Sequence, residues 1–153
     1  CWVHKTANVL NCVHKSVQPK VKDALHQIWQ ADTQSNAHQA FDRFEQLFAA
    51  KYPKAMQCLQ KDKDELLAFY DFPAMHWQSL RTTNPIESTF STIRHRTKRA
   101  KGCLSRDGML QMMFKLGQCA EQNWRRLRGF EDLNKVITGV KFKDGMEIKQ
   151  NAA

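Results

Sequence analysis

A chain of 153 residues, 42% hydrophobic and 10% aromatic, suits one domain of ordinary size with a real core. Its 24 Lys and Arg against 15 Asp and Glu leave a net charge of +9, which favours a polyanionic partner, nucleic acid first. No apolar run approaches the roughly 18 residues of a membrane span, and five scattered cysteines without a Cys-x-x-Cys pair argue against a disulfide framework and for a reducing, cytoplasmic setting.

The chain opens on Cys1 rather than a methionine, with Trp2 and Val3 directly after it, so the expectation is a fragment of a longer protein. Val3, Ala7 and Leu10 predict a helix over the first dozen residues. Cys1-x-x-His4 has metal-ligand spacing, and Cys12-x-His14 follows. Four such soft ligands would suit zinc. The alternative is a helix with a packed cysteine and a hydrogen-bonded histidine.

A second helix is expected from Ser16, as cap, to Trp29, burying Val21, Ala24, Leu25 and Ile28. From Asn36 to Tyr52 the apolar residues Ala37, Ala40, Phe41, Phe44, Leu47 and Phe48 follow helical spacing and read as one core face. These aromatics are packing rather than a base-stacking platform. Pro53 starts another helix, with Ala55, Met56 and Leu59 inward, and the charge run Lys61–Glu65 reads as a solvated face. Leu66–Tyr70 continues the helical pattern, Asp71-Phe72-Pro73 breaks it, and a short turn leads on to Trp77.

The central stretch, Leu80–Gly102, reads LRTTNPIESTFSTIRHRTKRAKG. Asn84 stands as the cap and Pro85 at the first helical position. Ile86, Phe90 and Ile93 make one apolar face. Glu87 and Arg94 are seven residues apart, which brings them back to one stripe, about 10 Å along the axis. Ser91 and Lys98 share that stripe, and Arg94, His95, Arg96, Lys98, Arg99 and Lys101 make a dense run of cations. Asn84-x-x-Glu87 also resembles a capping box, in which Glu87 only satisfies the helix start.

After a short loop at Gly102, Ser105 caps a helix expected to reach Leu127, apolar nearly all round over Met109–Leu116. Trp124-Arg125-Arg126-Leu127-Arg128 would close it, with cations at its negative end. The other role for those arginines is phosphate contact. Gly129 terminates the helix, Phe130–Thr138 is a further short one, and Val140–Ile148 is a short strand or an ordered tail. Residues 150–153 carry no signal. There is no Gly-rich phosphate loop, no Gly-x-Ser-x-Gly and no Ser/His/Asp constellation.

Five segments carry a family resemblance: CWVHKTANVL at Cys1–Leu10, LLAFYDFPAMHW at Leu66–Trp77, LRTTNPIEST at Leu80–Thr89, TKRAKGCLSR at Thr97–Arg106 and NWRRLRG at Asn123–Gly129. With these, the chain closely resembles, essentially end to end, the carboxy-terminal part of the mutator-like transposases of bacterial insertion sequences. The resemblance implies a ribonuclease-H-like core with an Asp, Asp, Glu triad that holds divalent metal. It implies that Glu87 is the triad's glutamate, in an Asn-x-x-Glu motif with Asn84, and that Arg94 is the basic residue seven further on. Cys1 and His4 match the family's Cys-x-x-His. The family's two aspartates lie amino-terminal to that motif, as does its DNA-binding region.

The expected fold is mainly α. Residues 1–14 would end a core segment, 15–79 form an all-helical insertion, and 80–153 supply the carboxy-terminal helices and tail of a ribonuclease-H-like α/β core whose sheet is mostly missing from this chain. The resemblance implies DNA cleavage and strand transfer at element ends in the intact protein, with Glu87 as catalytic and metal-binding residue and Mg²⁺ or Mn²⁺ bound only there. Arg94, Arg96, Lys98, Arg99 and Lys101 would bind DNA, both transposon ends and target. The protein would be cytoplasmic, nucleoid-associated and off the membrane, with a homo-oligomer left open because the sequence does not give the oligomeric state. The alternative is a non-catalytic helical module that binds DNA or the transposase itself. Apart from its family's sheet, the chain is expected to expose the Met109–Leu116 surface.

Overall fold

Helix accounts for 69% of the computed structural model, which describes residues 1–101 and 105–148. The Gly102 loop, Cys103 and the tail from residue 149 lie outside the described residues. Two units emerge: Cys1–Thr82 together with the chain from Arg128 on, and Thr83–Leu127.

The first unit is built on α1 (Trp2–Leu10), α2 (Gln18–Trp29), α3 (Gln34–Phe48) and α4 (Pro53–Gln60), followed by α5 (Lys63–Leu67) and α6 (Trp77–Leu80). Their apolar stripes meet in one core. Val9 from α1, Val21, Leu25 and Ile28 from α2, Phe41 and Phe44 from α3, and Leu59 from α4 are all but inaccessible to water. Phe44 and Phe48, one turn apart, pack as a tilted pair at 4.8 Å between ring centroids. The segment with the Cys-x-x-His motif therefore shares a core with the helices that follow it.

Several boundaries differ from expectation. Ser16 does not cap α2; the helix begins at Gln18 behind Val17, and Ser16 instead hydrogen-bonds His14. Helix α3 starts earlier and ends sooner than Asn36–Tyr52, because the Thr33 hydroxyl accepts the Asn36 N–H at 3.2 Å and sets its N-terminus. Leu47 is not core but 60% exposed. It lies one residue before Phe48, and that 100° turn carries it out of the stripe.

The charge run is not only a solvated face. Lys5, 8% exposed, crosses from α1 to α4, donating from Nζ to the Cys58 carbonyl at 2.8 Å and pairing with Asp62. That hydrogen bond holds the Asp62 carboxyl below its usual range. Trp2, one turn earlier on the same face, donates its indole N–H to the Leu66 carbonyl at 2.9 Å. Lys5→Met should keep the packing but leave the Cys58 carbonyl without its donor. A loss of about 1–2 kcal/mol is expected in urea unfolding.

Tyr70 is fully buried and donates its hydroxyl to the Ala31 carbonyl at 2.8 Å. Burial pushes this phenol up to about 12. Its folded value lies above its unfolded one near 10, so its contribution is complete below pH 10 and is lost as pH rises from 10 to about 12. Tyr70→Phe should cost about 1–3 kcal/mol at pH 7. In urea unfolding at pH 7 and pH 11, the gap between wild type and variant should narrow at the higher pH.

The carboxy-terminal segment returns to this unit. Helix α9 (Leu133–Ile137) precedes a two-stranded antiparallel hairpin, β1 (Phe142–Lys143) and β2 (Met146–Glu147), with Phe142 opposite Glu147. Asp144 and Gly145 both have positive φ, 50° and 81°, as a two-residue hairpin turn requires. The turn is docked: the Gly145 N–H donates to Tyr70 and its carbonyl accepts from Ala74, each at 3.2 Å, while Asp144 accepts the Gln34 N–H at 2.6 Å at the start of α3. Asp144-Gly145 is the signal that marks this hairpin in the sequence, and Val140–Ile148 read as one strand or tail misses it.

The second unit pairs α7 (Asn84–Arg99) with α8 (Arg106–Glu121). Ser105 caps α8 as expected, accepting the Gly108 N–H at 3.1 Å. The helix ends at Glu121, not near Leu127, and no residue of it is buried; Phe114 is 63% exposed. The expected burial of Met109–Leu116 on several sides is thus not met, while its expected exposure is. On α7 only Ile93 of the apolar face is buried, and Ile86 and Phe90 are exposed. Among the described residues no helix is long and apolar enough to cross a membrane.

Candidate nucleic-acid interface

The N-terminus of α7 differs from the spacing argument by one residue. Thr83 is the N-cap, Asn84 the first helical residue, and Pro85 the second. Asn84 is therefore not the cap, and Asn84-x-x-Glu87 does not have capping-box spacing. Glu87 instead lies one full turn beyond Thr83. The Glu87 N–H donates to the Thr83 carbonyl at 2.9 Å, and the Thr83 hydroxyl donates to the Glu87 carboxylate. That hydroxyl fixes the rotamer of an exposed carboxylate at the positive end of the helix. The Thr83-x-x-x-Glu87 spacing was legible in the sequence, but the Asn-Pro pair drew the start one residue late.

Helix α7 is unbroken to Arg99, so Glu87, Ser91, Arg94 and Lys98 share one stripe. Arg94, Arg96, Lys98 and Arg99 are all exposed, and none of them meets a carboxylate within salt-bridge range among the described residues. Lys101 is exposed too but is off the helix, in left-handed backbone with φ 46° after the C-cap Ala100. Helix α7 thus presents one carboxylate in its first turn and four cations over its second half.

The remaining motif residues sit in the other unit. Cys1 is the N-cap of α1 and His4 lies in its first turn, both exposed. Cys12 is exposed rather than packed, and donates to the Asn8 carbonyl at 3.4 Å, while His14 Nδ1 lies 2.8 Å from the Ser16 hydroxyl. Cys1 borders a cleft of about 150 Å³ with Trp2, Phe69, Phe72 and Arg81. The Arg81 guanidinium lies 4.3 Å from the Phe69 ring centroid and 5.1 Å from that of Trp77, and burial lowers its pKa. In the CWVHK segment it is Trp2 and Lys5 that the fold uses most heavily, and no spacing rule singled them out.

The basic segment after α8 departs furthest from expectation. Arg125, Arg126 and Arg128 lie beyond the helix end, outside any regular element, so they do not complement its dipole. Trp124 returns to α7 instead, donating its indole N–H to the Thr89 hydroxyl at 3.1 Å. Gly129 does adopt the left-handed backbone of a chain stop, φ 70°, but well past the helix. A Cβ there would meet the Met75 Cβ at 2.5 Å, and its carbonyl lies 2.8 Å from His76 Nε2.

Residues 1–126 match the family described as "Transposase, Mutator family". The chain is similar to the transposase for insertion sequence element IST2 of Acidithiobacillus ferrooxidans, 53% identical over 146 residues that cover 95% of this chain and 49% of that protein. It is similar also to the transposase for insertion sequence element IS6120 of Mycolicibacterium smegmatis, 46% identical over 150 residues, covering 98% of this chain and 46% of that protein. No solved structure matches the chain. The chain belongs to the Mutator family of transposases. It spans about half the length of these two relatives.

Proposed function

We propose that this chain is the carboxy-terminal half of an insertion-sequence transposase, and that the intact protein cuts DNA at the ends of the element and joins it to a target. The observation that carries the reading is α7, with an oriented, exposed Glu87 in its first turn and exposed cations along the same helix. The names of the relatives support the reaction class. Within the intact protein, residues 80–153 would belong to a ribonuclease-H-like core and 15–79 to a helical insertion. Such a protein would work in the cytoplasm, on the chromosome.

Glu87 is a hard oxygen donor of the kind Mg²⁺ or Mn²⁺ prefers. One carboxylate does not make a site, however, and no group of three or more His, Cys, Asp or Glu is poised for a metal among the described residues. The chain by itself therefore does not fit the ion. In the intact protein two aspartates from the remaining sequence would complete the triad, and the ion would stabilise charge on the reacting phosphate. This chain's own part is to hold DNA. Arg94, Arg96, Lys98, Arg99 and Lys101 neutralise backbone phosphates without reading bases. The second reading, a non-catalytic helical module that binds DNA or the transposase itself, would use the same cations without Glu87.

Binding should be weak, independent of sequence and steeply dependent on salt. Changing Arg96, Lys98 and Arg99 together to Gln should weaken all duplexes alike and reduce the log–log salt slope by about 2–3. Fluorescence anisotropy across a salt series measures this. A loss confined to one sequence would overturn the backbone-contact assignment. Strand cleavage by the intact Glu87→Gln protein tests the catalytic part.

A further inference from the structure

Trp124-Arg125-Arg126 resembles neither a buried anchor nor a helix end. Trp124 is a large ring 61% exposed to solvent, on a segment without regular structure. An exposed side chain of that size is ordinarily mobile, but its indole N–H is tied to the Thr89 hydroxyl at 3.1 Å. One edge is thereby pegged to α7 while most of the ring stays open. Arg125 and Arg126, next in the chain, are exposed. Thr89 heads its own stripe of α7, and seven residues on, about 10 Å along the axis, that stripe reaches Arg96. The segment that carries Arg125 and Arg126 is thus tied, at Trp124, to the helix that carries Arg96. Sequence-tolerant single-strand binding needs an aromatic face together with cations, because every base has a face to stack and every linkage a charge to hold.

We propose that Trp124, Arg125 and Arg126 form a platform for unpaired DNA, in which the Trp124 ring stacks on a base and Arg125, Arg126 and Arg96 hold the phosphates of the same strand. The proposal rests on the reading of the chain as DNA-acting and adds a ligand form, the unpaired end of a strand. Guanidinium groups suit the role, since they bind phosphate through a planar fork of donors.

The test uses this chain and two probes: a blunt duplex, and the same duplex with a four-nucleotide 3′ overhang carrying 2-aminopurine. The wild type should bind the overhang duplex more tightly and quench the 2-aminopurine on stacking. Trp124→Ala should lose roughly tenfold to a hundredfold in affinity for the overhang duplex, abolish the quench and leave blunt-duplex binding unchanged. Its thermal unfolding should match the wild type, because the ring is mostly exposed. Trp124→Phe keeps a ring face without the Thr89 bond and should retain most of the preference. A loss as deep as that of Trp124→Ala would make Trp124 a structural peg and overturn the proposal. Equal binding of both probes, with no effect of Trp124→Ala, would overturn it while leaving the DNA-acting reading intact. Failure to bind either probe would remove both.

Discussion

Glu87→Gln in the intact protein is expected to abolish DNA cleavage while leaving the fold in place. Gln has nearly the same shape as Glu, and its carbonyl oxygen can still accept from the Thr83 hydroxyl. The residue is exposed, so its replacement opens no cavity. What changes is charge. A neutral amide cannot supply the negative ligand that a divalent ion needs, and each tenfold of lost rate corresponds to about 1.4 kcal/mol of barrier. A fall of several orders of magnitude is expected in a gel assay of strand cleavage with Mg²⁺. Circular dichroism and thermal unfolding should be unchanged. If Glu87 serves only the helix N-terminus, the Gln variant will cut like wild type, and that result would falsify the catalytic assignment. Measured on this chain alone, the substitution should leave DNA binding the same or slightly tighter, because it removes one negative charge beside the cations.

The largest effect on stability is expected at Gly145. Its φ of 81° is left-handed, which costs an L side chain roughly 1–2 kcal/mol. A Cβ there would also sit 2.6 Å from the Ala74 Cβ and 3.0 Å from the Ala74 Cα and N. Two of those three atoms are backbone and cannot swing away. Relief requires the turn to lift, which breaks the hydrogen bonds from Gly145 to Tyr70 and from Ala74 to Gly145. Gly145→Ala should therefore cost about 3 kcal/mol in all, a drop in Tm on the order of 10 °C. Met146→Ala, one residue on and largely exposed, is the control and should change little. A Gly145→Ala shift no larger than that of the control would mean the hairpin is not docked on Tyr70 and Ala74.

The sequence by itself determined the class of fold, the places of most helices and the residues that reveal the family. Helical periodicity is a local property, so α2, α3 and α4 were legible from Val21, Leu25 and Ile28, from Phe41 and Phe44, and from Ala55 and Leu59. Glu87 and the cations of α7 stood out for the same reason: spacing alone places Arg94 and Lys98 on its stripe. Periodicity says that a face is apolar, however, and not what covers it. Ile86, Phe90 and Phe114 read as core in the pattern yet are exposed, since burial depends on neighbours and not on spacing. Tertiary structure alone decided the contacts between distant residues. Lys5 reaches Cys58 and Asp62, Tyr70 reaches Ala31, and Asp144 reaches the start of α3, each across too much sequence for any local rule. It also decided where α8 stops. Nothing in QNWRRLRG forbids another helical turn, and the bond from Trp124 to Thr89 belongs to a chain that has already left the helix. That departure leaves Arg125 and Arg126 as exposed charge next in the chain to a largely open aromatic ring, rather than in a last helical turn where the macrodipole would hold them.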